Sequence, residues 1–451
     1  MEAQQKFYQT VARIAVPVTL QSLLRSSFGV IDQVMTGQLG SVSIAGIGLS
    51  SKFASIHMVL VSAVAATAGI MIAQYMGQKD EKAVNRSVFV NLGLALILAA
   101  LFTAACLLCP QQILRLYTQD PAAVIVGAQY LQIVSLTFLP SAVSALLSPL
   151  LHCMDAAALP MYAGICAALI NTLLNYILIF GRLGMPALGV QGAAIASVIS
   201  QLVDCLLIIA LLAWYLKRHP GRWQPRPAFR MSRVAAVQYL AILVPNVMCE
   251  FLWGLGENVY AAIYGHIGTD ACAAMTLTTP VQILVVSALS GISQATSVIV
   301  GKTLGSGRSE QAYREARTLL GYGLAGSLAL SVLLLLLKGL YVEIYQVESS
   351  VKLLAQQLLV VFAVLAPVKV QNMILGNGVI RSGGRTKYVM WIDLIGTWGF
   401  GVPLGLLAAF VLKWEIPYVY FLLSLEECVR LGLSLALFRR RSWMNRIAAN
   451  A

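Results

Sequence analysis

PVTLQSLLRSSFGVIDQVMTGQLGSVSIA at 17–45 and PNVMCEFLWGLGENVYAAIYGHIGTDACA at 245–273 share one frame. Pro17, Gly37, Gly40 and Ala45 of the first stand against Pro245, Gly265, Gly268 and Ala273 of the second, each 228 residues apart. The frame runs on, with Ser62 against Ser290 and Gly77 against Gly305 at the same offset. A register kept over about sixty residues marks two copies of one unit, and a duplicated membrane unit is a transporter architecture.

Composition places the unit in a bilayer. Of 451 residues, 59% are hydrophobic and only 11% charged, with a mean hydropathy of +0.80. So few charges cannot cover the surface of a soluble protein of this size. Apolar runs long enough to span a membrane centre on 11–36, 44–76, 84–109, 121–150, 160–181, 188–216, 233–262, 271–303, 313–340, 351–380, 387–411 and 416–438. The spacing predicts twelve transmembrane helices in an all-α protein. No cleavable leader is expected, since the first run has no small-residue cleavage site behind it and leads into the repeat.

The net charge of +13 resembles that of a nucleic-acid binder, but its placement excludes that reading. With both termini cytoplasmic, 22 of the 31 Lys and Arg residues fall inside, five outside and four within helices. This positive-inside bias sets orientation and predicts a multi-pass plasma (inner) membrane protein. KRHPGRWQPRPAFRMSR at 217–233 is the one long polar segment. It separates an N-lobe at 1–216 from a C-lobe at 233–451, with 217–232 as a basic cytoplasmic linker. Six helices per half make the lobes parallel repeats, with a site expected between them near mid-membrane. The eight cysteines lie in or near the helices, so membrane packing explains them better than disulfides or metal.

Ionisable residues inside a membrane are costly and therefore informative. The first half carries Asp32 and Asp204 with Arg25 and Lys52. The second carries Glu250, Glu257, Asp393, Glu426 and Glu427 with Lys369 and Arg430, a surplus of three acids. Asp32 follows Pro17 on the first helix, where a proline removes a backbone hydrogen bond and permits a hinge. A carboxylate there can bind a proton or Na⁺, or pair statically with Arg25. Asn171 and Asn175, four apart on one face of the fifth helix, offer amide oxygens to a cation or hydrogen bonds to a carboxylate, or join helices. Glu250 and Glu257 share a face of the seventh helix and suit protons or organic cations, unless Lys369 pairs with them. Asp393 reads as structural, Glu426 and Arg430 as an i,i+4 pair, and His57 and His152 as packing or interface residues.

GxxxxGK[ST], HExxH and GxSxG are all absent, which argues against ATP hydrolysis and against an enzyme. An ion gradient is the expected energy source.

The motifs taken together resemble the multidrug and toxic compound extrusion (MATE) family. IDQVMTGQLG at 31–40, NTLLNYILIFG at 171–181, LGVQGAAIAS at 188–197, GISQA at 291–295, VGKTLG at 300–305 and VIRSGGRTK at 379–387 carry the likeness in the family's order. The resemblance implies two six-helix lobes around a V-shaped cavity. It also implies export of cationic amphipathic compounds in exchange for H⁺ or Na⁺, with no other cofactor. Asp32 and Asn171 match the N-lobe ion site, and would ligate the metal if coupling is to Na⁺. Pro17 matches the family's bending proline, Asn175 stands where many members carry aspartate, and Ser197 takes the place of a threonine. Glu250 resembles an acid of the seventh helix. On the tenth helix, where some members carry an acid, this chain has Lys369, Gln371 and Asn372, and Asn372 joins Glu250 and Glu257 as a substrate or proton residue. His152 replaces the basic residue that Arg381 supplies in the other half. A monomer exporting organic cations, without ATP or nucleic acid, is the expectation; a flippase for a lipid-linked precursor is the rival.

Overall fold

A computed structural model describes residues 2–221, 223–345 and 347–448. Among these residues the fold is helical throughout. Eleven helices are long and apolar enough to cross a membrane. They are α1 (Glu2–Thr36), α2 (Ser41–Gln78), α3 (Glu81–Leu108), α4 (Pro121–Cys153, with a 3₁₀ turn at Ser135–Thr137), α5 (Ala158–Phe180), α6 (Gly189–Arg218), α7 (Arg233–Ile267), α8 (Thr269–Gly305), α9 (Ser309–Glu343), α10 (Ser349–Gly383) and α11 (Thr386–Val411). The twelfth expected segment, α12, is broken into Ile416–Ser424 and Glu426–Arg439 by a turn at Leu425. Neither piece reaches spanning length alone.

Local chemistry sets the helix ends. Asp80 caps α3 by accepting from the Ala83 N–H at 2.9 Å, and Ser232 caps α7 through the Ala235 N–H at 3.1 Å. Asp120 caps α4, whose first residue is Pro121, the position where a missing N–H costs nothing. Gly181 ends α5 in the left-handed conformation at φ +66°.

The chain packs as two units. The N-terminal unit is Leu20–Ile72 with Asp80–Met231; the C-terminal unit is Met1–Thr19, Ala73–Lys79 and Ser232–Ala451. This division differs from a cut at 216 and 233, for visible reasons. The start of α1 packs on α8, where a β-carbon on Gly291 would collide with the Ala15 carbonyl, and Thr19 Oγ1 donates to the Ala288 carbonyl at 3.2 Å. The helix changes unit two residues after Pro17 and runs unbroken through it. The basic segment after α6 is bound to α3: Asn85 Nδ2 donates to the Gln224 carbonyl at 3.0 Å, Asn85 Oδ1 accepts from the Arg226 N–H at 2.9 Å, and Phe229 packs edge-on to Phe89.

Two apolar cores lie along α7 and α10–α12. One is built from residues such as Ile263, Phe362, Val419 and Leu423. The other takes Cys249, Val379, Val389, Phe438 and Trp443. Between them, along each helix, fall the polar residues: Glu250 and Glu257 on α7, Lys369 and Asn372 on α10, Asp393 on α11, and Glu426, Glu427 and Arg430 on α12. An apolar cap on either side fixes this layer within the helical bundle.

Candidate functional site

In the N-terminal unit, a cavity of about 360 Å³ is bordered by Arg25, Asp32, Asn171, Ser200, Gln201 and Asp204. Asn175, fully buried, donates through Nδ2 to Asp32 Oδ1 and to Asn171 Oδ1 at 3.2 Å. Asn171 Nδ2 donates in turn to Ser200 Oγ at 3.3 Å. The two asparagines, one helical turn apart on α5, thus tie α1 to α6 through their side chains. The Asn175 Oδ1 atom is buried beside this cluster without a hydrogen-bond partner among the described residues.

Arg25 does not neutralise Asp32. Among the described residues no ion pair joins them; the electrostatic partner of Arg25 in this cavity is Asp204, whose side chain also accepts from Gln201 Nε2 at 3.3 Å. Seven residues of helix put Arg25 and Asp32 on one face but two turns apart, about 10 Å along the axis. Ser197 does not join the cluster either. Its hydroxyl donates to the Ala193 carbonyl at 3.0 Å, and Ser200, one turn later, makes the contact with Asn171. His57 is buried and stacked on Phe138 at 4.3 Å, a packing role.

The polar layer of the C-terminal unit borders two cavities. One, of about 320 Å³, takes Glu250, Lys369, Asn372, Arg381, Asp393 and Arg430 among its walls. The other, of about 430 Å³, is lined by Glu257, Glu426, Glu427, Lys369 and five aromatic rings: Trp253, Tyr260, Tyr264, Phe362 and Tyr420. Glu427 joins the two. Its Oε2 accepts from Asn372 Nδ2 at 2.7 Å and lies 3.6 Å from an Arg430 nitrogen, while its Oε1 faces Lys369 Nζ at 3.9 Å.

Several expected pairings are redrawn here. Arg430 bridges Asp393 and Glu427, not Glu426. Glu426, one residue earlier and so about 100° around the helix, instead accepts from the Tyr260 hydroxyl at 2.5 Å. Lys369 pairs with Glu427 rather than with Glu250 or Glu257. Arg381, counted by sequence among the cytoplasmic charges, is only 8% exposed and pairs with Glu250 at 3.4 Å. Counting it, the acid surplus of this polar layer is two, not three. Asn372 serves as a clamp on Glu427, binding both its carboxylate and its backbone carbonyl at 2.7 Å. Glu250 and Glu257 sit in different cavities, with Trp253 bordering both.

Neither Tyr260 nor Arg381 is among the site residues that the sequence suggests, although the family resemblance matches Arg381 with His152. A signal for Tyr260 did exist: it stands opposite Asp32 in the 228-residue frame. Arg381 sits at the end of its helix and looked like a loop charge.

The MatE family model matches the chain twice, over residues 17–177 and 245–407. The chain belongs to the MatE family. The two matches begin at the two prolines that open the repeat, Pro17 and Pro245. The chain is 23% identical to the uncharacterized transporter YisQ of Bacillus subtilis, over 95% of this chain and 94% of that protein. It is 27% identical to the probable multidrug resistance protein NorM of Rhizobium meliloti, covering 87% and 86%, and 26% identical to multidrug and toxin extrusion protein 1 of Xenopus tropicalis, covering 93% and 72%. Its fold superposes on an outward-facing multidrug resistance MATE transporter with a TM-score of 0.87 at 17% identity, over 96% and 95% of the two chains. A MOP superfamily transporter from Pyrococcus furiosus gives 0.86 at 18%, over the same shares. As a MatE protein the chain is a multi-pass membrane transporter and not an enzyme, and multidrug efflux is the activity at family level.

Proposed function

We propose that the chain exports organic cations by alternating access, driven by the inward movement of H⁺ or Na⁺. The observation that carries this is Asp32. Its carboxylate lies at a cavity inside a membrane helix bundle, is contacted by the amide of Asn175, and among the described residues has no cationic side chain paired with it. A carboxylate in that setting gains from any exchangeable cation. A proton neutralises it directly. Na⁺ suits the same place because the Asn171 and Asn175 oxygens are hard, neutral ligands, and the Asn175 oxygen has no hydrogen-bond partner among the described residues. The relatives named for multidrug extrusion support the substrate class. The positive-inside count supports a plasma-membrane location with cytoplasmic termini, and a single chain holds both candidate sites. ATP has no part in this reading, since no phosphate-binding loop occurs in the sequence.

The test is efflux of a fluorescent cation from proteoliposomes with a Na⁺ or a pH gradient imposed separately. One gradient should drive efflux, and Asp32→Asn should abolish it with folding intact. Unchanged transport by the variant would remove Asp32 from the coupling role.

A second reading, flipping of a lipid-linked precursor, draws on Lys369, Arg381 and Arg430 in one cavity. An anionic head group needs net positive charge. Those three bases face Glu250, Asp393 and Glu427 in the same cavity, and the aromatic cavity has more acids than bases. The balance favours cations. Competition between dye cations and a lipid-linked sugar phosphate discriminates the two.

A further inference from the structure

Lys369 is the most loosely held cation of the C-terminal polar layer. Its ammonium stands 3.9 Å from Glu427 Oε1, beyond hydrogen-bonding distance, and its side chain is 41% exposed whereas that of Glu427 is 7% exposed. Glu427 is held from its other side: Asn372 binds its Oε2 and its backbone carbonyl, and Arg430 flanks the same oxygen. One carboxylate oxygen is therefore fixed by the scaffold, and the other is offered to a cation on a flexible four-carbon arm. That arm borders both C-terminal cavities.

The cavity on the aromatic side has the chemistry of an organic-cation pocket. Tyr260, Tyr264, Phe362 and Tyr420 supply ring faces and edges, and Glu257, Glu426 and Glu427 supply negative charge against Lys369 and Arg430. Aromatic walls around a carboxylate favour large, weakly hydrated cations such as quaternary ammonium or phosphonium over small hydrated ones. Of the carboxylate oxygens there, Glu426 Oε2 is occupied by the Tyr260 hydroxyl and Glu427 Oε2 by Asn372. Glu427 Oε1 faces Lys369 and is the acceptor that this lysine guards, while Glu257 lines the same cavity apart from it.

We propose that Lys369 is a tethered competitor, a built-in cation that holds the place of the substrate's positive centre at Glu427 Oε1 until an aromatic organic cation enters and displaces it. The inference rests on the organic-cation reading above and adds a specificity device to it. Displacement keeps the charge of the layer compensated when the cavity is empty. It also weakens binding in proportion to how often the lysine holds the site, which makes release easier. A competitor in place nine-tenths of the time raises the apparent Kd about tenfold.

The test is equilibrium binding of tetraphenylphosphonium and of ethidium to the purified full-length chain in nanodiscs. Lys369→Met keeps the length of the arm without its charge and should tighten binding of both cations about tenfold. Lys369→Arg keeps a cation and should stay within about twofold of wild type. Glu427→Gln should weaken binding, and in that background Lys369→Met should bring no gain. That cycle separates the loss of a competitor from a general change of the cavity. Unchanged or weaker binding by Lys369→Met, an equal gain from Lys369→Arg, or a gain that survives Glu427→Gln each overturns the proposal. Wild-type protein that binds neither cation overturns the organic-cation reading itself. Should Lys369→Met fail to fold, the Lys369→Met/Glu427→Gln pair, neutral on both sides, is compared with Glu427→Gln alone, and a gain between those two also sinks the idea.

Discussion

The contact between Glu250 and Arg381 shows what single residues of the polar layer do. Arg381 ends α10 almost wholly buried and meets Glu250 of α7 at 3.4 Å. Burying two such groups is costly, and removing one leaves the other without compensation. Arg381→Met should therefore lower stability by about 2–3 kcal/mol, a loss reduced from the fully buried case because Glu250 retains some solvent access. Adding Glu250→Gln should restore part of the loss, and a thermal melt of the purified single and double variants checks both steps. Equal melting temperatures for wild type and Arg381→Met would show the contact to be incidental. Such pairings were not legible in the sequence. Spacing along one helix suggested Glu426 with Arg430, but the partners chosen are on other helices or one turn away. The acid at 426 turned to Tyr260, and the arginine at 430 to Asp393 and Glu427. By contrast, the meeting of Asp32 with the Asn171–Asn175 pair was legible through the family resemblance, while the i,i+4 spacing of the amides alone left their partner open.

At the scale of elements, α11 is shaped to admit those side chains. Its Leu394–Gly401 stretch is a π-helix, whose hydrogen bonds reach one residue further than those of an α-helix and widen the turn, and Leu407–Val411 is another. Two glycines lie on the first stretch where α12 side chains pass. A β-carbon on Gly396 would overlap the Arg430 side chain, and one on Gly401 would overlap both the Tyr260 hydroxyl and the Glu426 carboxylate. Gly401→Ala should thus separate Tyr260 from Glu426 and cost about 1–3 kcal/mol. Tyr260→Phe, which removes the same hydrogen bond without crowding, should cost no more than that, and combined with Gly401→Ala should add less than its own cost. Melting curves of the three variants measure this. Full additivity would mean the glycine serves some other contact. The twelve segments themselves were legible from apolar length alone. The π-helical stretches and the break at Leu425 were not, since apolar length says where a helix can span and nothing of how it winds within that span.

For the whole molecule, the repeat is visible as a reciprocal contact. Gly77 closes α2 and Gly305 closes α8, its counterpart in the 228-residue frame. A β-carbon on Gly77 would run into the Lys302 carbonyl, and one on Gly305 into the Gln74 carbonyl. Each glycine faces the residue three before the other, so the two helix ends touch through equivalent atoms, as small residues let membrane helices do. The frame was legible from the glycines and prolines; what was hidden is the third party. The segment after α12 runs over this crossing, where Gln74 Nε2 donates to the Ser382 carbonyl at 2.6 Å and to the Asn445 carbonyl at 3.0 Å, Gln74 Oε1 accepts from the Ile447 N–H at 2.7 Å, and Gln78 Nε2 donates to the Ile447 carbonyl at 2.8 Å. Trp443 is fully buried beneath it. Two consequences can be measured by thermal unfolding. In an open stretch of α2 such as Gly48, where nothing lies within 4 Å, Gly→Ala should stabilise by up to about 1 kcal/mol through helix propensity. At Gly77 and Gly305 the same change should destabilise, by about 2 kcal/mol or more, because backbone and not a movable side chain stands in the way. Reciprocity requires the two losses to be alike. Truncation after Ser442 removes Trp443 and strands the Gln74 amide, and should cost about 3–5 kcal/mol, the range for deleting a large buried aromatic. In the truncated chain Gln74→Ala should then cost much less than it does in the full chain, since two of the three hydrogen bonds it makes are already gone. A glutamine equally costly to lose in both chains would mean that it holds the helices together by itself, with the tail merely resting on them.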